Sequence, residues 1–476
     1  MPEKITPPPG SEVILTVIAI YIVACILIGL WAERRSRTLD DYLIAGRRIG
    51  KWLNGFAYYT AMMSAVGAVG IPGIMFVYGI PLGYANVLGP VSGGFLTTML
   101  VAWKLRQSGK RTIAEYLADR YNSRVVRTLV GVIVLIGLLT YSIPQLMGAG
   151  LMLNLFTGLD YAWCVIIAGL TFTIYVALGG MWATTITDVL QGILMLAFCF
   201  GLGWYMILLL GGPSAAVAKA VEMHAHANKI TLPYLSYLGL CLSWTFGFIA
   251  MPNLHMRIFS SLDERTAKYT TTIGSTFFVL QHFIGAELLG IAGLAIYATL
   301  ARPDQVVYFI IRDFLPPLVA GLILAGLLAA MMSTLDSFLL ACGASISTDI
   351  ALSIKPTISP NNLRKLAIAG VVVIGVLSIL FSIQTIELIM VVATMAAQII
   401  AVAVFWPLVL GTYWKRANKY GVVASIICGE IILTLHWTGV FKVPRFTELF
   451  IPLIVSLVVL VVVSLLTTKR VERPTK

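Results

Sequence analysis

Apolar residues along this chain fall in runs of about twenty or more, parted by short polar stretches, from one end to the other. A run of that length is what a helix needs to cross the hydrocarbon core of a bilayer. The pattern predicts thirteen spans, near 11–32, 53–79, 82–105, 125–155, 160–181, 184–210, 233–253, 272–299, 315–352, 364–384, 386–413, 418–440 and 447–467. The fourth and ninth exceed one crossing and are expected to tilt or to extend beyond the membrane. Polar segments are too short to hold a soluble domain. The predicted fold class is therefore an all-α integral membrane protein of about 13 transmembrane helices, a single domain over 1–476.

Two runs interrupt the helical pattern. In the second, residues 58–73 carry Gly67, Gly70 and Gly73 at every third place, with Pro72 between them. Glycine weakens a helix and proline removes a backbone donor. Unpaired backbone cannot face lipid, so a break there lies in protein or lines a wet cavity. It would free carbonyls for a cation and amides for an anion. Thr60 and Ser64, four residues apart, add hydroxyls on one side. The competing reading is a glycine-rich face for close helix packing. The seventh run is interrupted over 244–257, where Gly247 and Pro252 fall. Paired interruptions five spans apart point to inverted repeats. The expected layout is an extra helix and cytoplasmic loop over 1–52, one repeat over 53–210, a second over 233–413, and two added helices with a tail over 418–476.

Composition narrows the class further. Residues are 59% hydrophobic and only 11% charged, against about a quarter charged in soluble domains. The formal charge of +12 is a topology signal and implies no nucleic-acid partner. With the N-terminus outside, the inside segments hold 26 of the 33 Lys and Arg residues, which predicts N-out and C-in. Residues 110–123 place Ile113, Tyr116, Leu117 and Tyr121 at helical spacing, so a short amphipathic helix is expected on the cytoplasmic surface. The six Cys residues lie in apolar runs and lack the spacing of a disulfide framework or zinc site. His224 and His226 are expected to be solvated. The first apolar run is long enough to stay as a helix, so no cleavable signal is expected. Oligomeric state is not indicated.

Chemistry concentrates in the ninth span, where Ser333, Thr334 and Ser337 surround Asp336. An acid at that depth is a functional candidate by default. Hydroxyl, carbonyl and carboxylate oxygens suit hard cations; the bland alternative is an interhelical hydrogen-bond patch. Asp188 in the sixth span is a second acid, while His282 and Glu287 in the eighth read as structural.

Taken together these residues resemble the sodium:solute symporters over 41–416. The likeness rests on Ala45–Arg47, on Gly179-Gly180-Met181-Trp182-Ala183-Thr184-Thr185 leading to Asp188-Val189-Leu190-Gln191, on Ala329-Ala330-Met331-Met332-Ser333-Thr334, and on Trp406-Pro407. The resemblance implies the leucine-transporter fold with 5+5 inverted repeats. It implies a sodium site of the Thr60, Met63 and Ala330 carbonyls with the Ser333 and Thr334 hydroxyls. It also implies a possible second cation site at Asp188, Asp336 and Ser337, where Asp336 replaces a hydroxyl, so that the alternatives are a stronger ion site, a proton site or a paired acid. Sugar-transporting members carry amides near Gly67 and Met251, which argues against a sugar. The solute residues expected are Ser64, Gly67, Tyr141, Gln145, Trp244, Phe248 and Met251. The local likeness is greatest to acetate and other monocarboxylate, proline and pantothenate permeases.

The function expected is sodium-coupled symport of a small organic carboxylate into the cell across the plasma membrane. A short monocarboxylate is the first choice, with proline or pantothenate as alternatives. Its partners are sodium, the solute and the lipid bilayer. Five scattered His residues and no paired nucleophile and base argue against an enzyme. A solute-sensing receptor on the same fold is the competing class.

Overall fold

The computed structural model describes residues 7–33, 36–384 and 387–471. Arg34, Arg35, Arg473 and Lys476, counted above among the inside basic residues, lie outside them, as does the side chain of Cys199. Every named element among the described residues is a helix. The chain opens with α1 (Ser11–Glu33). Next comes α2 (Lys51–Met62), followed by a π turn over Val66–Gly70 and α3 (Ile71–Tyr78). The series continues with α4 (Ile80–Leu100), α5 (Ile113–Tyr121), α6 (Arg124–Thr157) and α7 (Tyr161–Leu209). Then come α8 (Tyr234–Ala250), α9 (Pro252–Ser260), α10 (Glu264–Gln281), a π turn over His282–Ala286 and α11 (Glu287–Ile296). The last are α12 (Val306–Phe314), α13 (Pro317–Ala344), α14 (Pro360–Gln384), α15 (Ile389–Tyr413), α16 (Lys419–Trp437) and α17 (Phe450–Val471).

Among the described residues ten helices are long and apolar enough to cross a membrane, or eleven if the bent α2–α3 pair is one span. Thirteen is reached only by adding α4 and dividing α7, so that number is a matter of how crossings are counted. The division of α7 has a physical basis. Gly180 sits at φ 59°, ψ −157°, a conformation essentially reserved for glycine, and turns the chain there.

The first break falls at Met63, which is extended at φ −80°, ψ 128°, and the two arms bend by 51°. It therefore precedes the glycines expected to cause it. They serve close approach instead: a Cβ on Gly67 would stand 2.8 Å from the His282 ring, and one on Gly73 2.6 Å from Asp304 Oδ1. The second break falls at Met251, extended at ψ 115°, between α8 and Pro252 at the head of α9.

Helix α13 forms the axis, buried almost throughout from Ala320 to Ala344 and packed against α1, α2, α6, α7 and α14. On the periphery α16 and α17 pair with each other and lean on α15. Apolar side chains such as Leu27 and Leu466 face outward, as lipid contact requires. Helix α5 takes the amphipathic form expected. Thr112 caps it, Ile113, Leu117 and Tyr121 are buried, and the Tyr121 hydroxyl donates to the Pro407 carbonyl at 2.8 Å.

Candidate ion and solute site

Because the chain turns away at Met63, the last carbonyls of α2 lack their intrahelical partners. Helix α13 runs past this end. The Ser333 hydroxyl lies 3.1 Å from the Thr60 carbonyl oxygen and 3.2 Å from that of Ala330. The Thr334 hydroxyl lies 2.6 Å from the Met63 carbonyl oxygen and 3.1 Å from that of Ala330. All five residues are fully buried. Two hydroxyl hydrogens thus serve three carbonyls, so oxygen lone pairs outnumber the donors. A hard cation is the ligand such a set accepts. The five residues named for sodium from the sequence meet at one place.

The second group is organised differently from the expectation. Arg257, one of the 26 basic residues assigned from the sequence to inside segments, is 1% exposed and lies within α9. Its guanidinium donates to Asp188 Oδ2 at 2.5 Å and to the Thr185 hydroxyl at 2.8 Å. A buried ion needs such a partner, because desolvation otherwise costs several kcal/mol. Asp336 has neither oxygen partnered, and Asp188 Oδ1 and Asn253 Oδ1 are also without donors. The Ser337 hydroxyl accepts from Asn253 Nδ2 at 3.0 Å and donates to the Thr334 carbonyl at 2.8 Å. Nothing local in the sequence marks Arg257 as the partner of Asp188, which lies 69 residues away.

Beside the first break lies a tightly closed cavity of about 10 Å³. Ser64, Gly67, Tyr141, Trp244 and Phe248 line it, five of the seven solute residues expected. Ring centroids stand 5.7 Å apart for Tyr141–Trp244 and 5.8 Å apart for Trp244–Phe248, making one aromatic wall. Gln145 and Met251 are not in the lining. Gln145 Oε1 accepts the Ala65 amide at 2.9 Å and so braces the broken helix, while Met251 is the hinge between α8 and α9. The Val66 amide is likewise taken, by the Ser64 hydroxyl at 3.1 Å. Two amides at the broken-helix site expected to receive a carboxylate are therefore occupied. Asn86, Phe278 and His282 also line it. Among these, His282 had been read as structural. A polar residue inside an apolar run was the signal available for Asn86.

The histidines of the 215–230 loop are engaged by backbone. His224 and His226 lie 2.8 and 3.2 Å from the carbonyls of Tyr297 and Phe76.

Comparison with known proteins fits this geometry. Over its length the chain is similar to the osmoregulated proline transporter OpuE of Bacillus subtilis (strain 168), 25% identical across 98% of this chain and 96% of that one. It is 28% identical to the sodium/pantothenate symporter of Escherichia coli (strain K12), across 88% and 89% of the two chains. In three dimensions it resembles a Na+-coupled sialic acid symporter solved in a substrate-bound outward-open state. That TM-score is 0.80 at 20% identity, with 98% of each chain covered. MhsT, solved in complex with L-phenylalanine, aligns at a TM-score of 0.54 and 16% identity, over 86% of this chain and 98% of that one. The family model for the sodium:solute symporter family matches residues 42–429, and the chain belongs to that family, a multi-pass membrane protein on the leucine-transporter fold.

Proposed function

We propose that the protein carries a small monocarboxylate such as acetate, propionate, lactate or pyruvate into the cell with sodium, by alternating access. One observation carries this reading: the convergence of Thr60, Met63, Ala330, Ser333 and Thr334 oxygens at the same helix break that borders the aromatic cavity. A cation bound there bridges α2 and α13. By linkage it raises solute affinity by the factor that solute raises its own. The layout follows two inverted repeats, 53–210 and 233–413, whose broken helices are α2–α3 and α8–α9. A second cation is assigned to Asp336 with Ser337, with Asp188 contributing only Oδ1 because Oδ2 is held by Arg257. The membrane is the plasma membrane, with the N-terminus outside and the C-terminus in the cytoplasm.

An apolar, aromatic lining leaves few partners for the hydroxyls of a sugar, and buried polar groups without partners are costly. A specific observation favours proline as a second reading. The Tyr141–Trp244–Phe248 wall suits a compact ring, and relatives of this chain are proline transporters.

Sodium-gradient uptake in proteoliposomes against a competition panel tests these readings. Short monocarboxylates are expected to compete. Proline competing at far lower concentration while they do nothing would move the assignment to proline. Counterflow of labelled solute is expected, since a carrier exchanges and a sensor does not. Orientation is tested by a reporter fused after Lys476, expected to be active in the cytoplasm; activity outside would reverse the topology.

A further inference from the structure

His282 occupies the first position of the π turn joining α10 to α11, and its imidazole is fully buried. The Cε1–Nε2 edge of the ring lies against Gly67, itself part of the lining, and His282 lines the same cavity. Nδ1 is 3.1 Å from Glu287 Oε1, a carboxyl equally buried and five residues on, while Nε2 has no partner. A histidine that only packs would have both ring nitrogens bonded, as buried polar atoms are as a rule.

We propose that His282, held by Glu287, is the specificity-determining residue that receives the solute's carboxylate. The reason lies in proton counting. A buried His–Glu pair is cheapest with no net charge. Zero charge means imidazolium with carboxylate, or neutral imidazole accepting from a carboxylic acid. The one proton shared between Nδ1 and Oε1 can sit on either atom, and in both arrangements Nε2 carries its own hydrogen. The cavity therefore meets a fixed N–H donor. Trp244 Nε1–H, also in the lining and also unpartnered, is a second. Two unpartnered donors, on a lining whose other polar members are Ser64, Asn86 and Tyr141, suit a carboxylate head. They replace the Ala65 and Val66 amides, which are already bonded.

This inference rests on the carboxylate reading above. Its test measures uptake by wild type, His282→Ala and His282→Gln, with each acid competed against its own neutral amide. In His282→Ala the KM for the acid is expected to rise about ten- to hundredfold, the worth of a hydrogen bond to a charged group. The preference for acid over amide should collapse with it. His282→Gln, which keeps an N–H near the Nε2 position, should restore most of both. Sodium binding without solute should stay within twofold, which separates recognition from misfolding. If wild type takes up a carboxylate but both variants keep its KM and acid preference, the role of His282 is overturned and the transport reading stands. If wild type moves no carboxylate on a sodium gradient, both fall. Should His282→Ala fail to insert, His282→Gln against wild type still decides: a lost acid preference without loss of sodium binding overturns the donor argument.

Discussion

Ser333 and Thr334 satisfy stranded carbonyls of α2 with their hydroxyls. In the sodium site proposed above, the same hydroxyls would turn their lone pairs to the cation. Replacing both removes two of five ligands and leaves the Thr60 and Met63 carbonyls without those donors. Ser333→Ala with Thr334→Ala is expected to raise the sodium concentration for half-maximal uptake more than about tenfold, the scale of one lost charge-assisted contact. Folding should suffer less, because the α13 backbone is unchanged. Sodium activation identical to wild type in proteoliposomes would remove this site. Arg257 answers a different need. It neutralises Asp188 at full burial, and taking away one member of such a pair costs about 3–5 kcal/mol, because the other charge stays behind.

Helices here are defined as much by where they fail as by where they run. Met63 and Met251 each adopt one extended conformation in an otherwise helical span, which exposes carbonyls on one side and amides on the other. Gly180 turns α7 at φ 59°, ψ −157°, and a Cβ there would stand 2.5 Å from the Tyr42 ring and 2.8 Å from its carbonyl oxygen. Gly180→Ala should therefore lower the thermal midpoint in detergent, with about 1–3 kcal/mol from backbone strain before the clash is counted. Gly201→Ala, in the same helix with nothing within 4 Å of the new Cβ, should be neutral or slightly stabilising. Equal behaviour of the two would refute the turn's role. Span positions were legible because lipid imposes a length and a polarity on every crossing. The existence of both breaks was legible from Gly and Pro, yet their positions were not. The first break falls at Met63, before the glycines, which instead admit His282 and Asp304. The five residues proposed as cation ligands were named through family resemblance, and the fold brings them together. Arg257 and His282 were not, since each takes its meaning from contacts the linear pattern does not reveal.

At the scale of the molecule, the alternating access proposed above requires that each end of the bundle be able to open, and each end is tied by contacts that opening would break. At one end Ile49 pairs with Ser261, and Asn54 Nδ2 donates to the Arg257 carbonyl at 2.7 Å and the Ser261 hydroxyl at 2.9 Å, tying the start of α2 to the end of α9. At the other, Asp304 in the loop before α12 accepts the Ile389 amide at 3.1 Å, at the head of α15, and abuts Gly73 in α3. One carboxylate thus joins three elements that separate if that end opens. Burial pushes the Asp304 carboxyl up to about 7, while the Ile389 amide and the Arg302 charge pull it down. The sign follows directly. The packed arrangement binds a proton more tightly than a solvated Asp, with its ordinary value of 3.8. Its advantage is complete below 3.8 and is lost as pH rises through about 7. Opening at this end should therefore be favoured by raising pH, by at most about tenfold per pH unit across that window. Hydrogen exchange of residues 71–78 and 303–314, corrected for the intrinsic rate, should show protection at pH 5 that weakens by pH 8. Asp304→Asn, which keeps an acceptor for the Ile389 amide and cannot ionise, should hold the protected state at both values. A wild-type profile as flat as that of the variant would mean that Asp304 fastens this end without sensing pH.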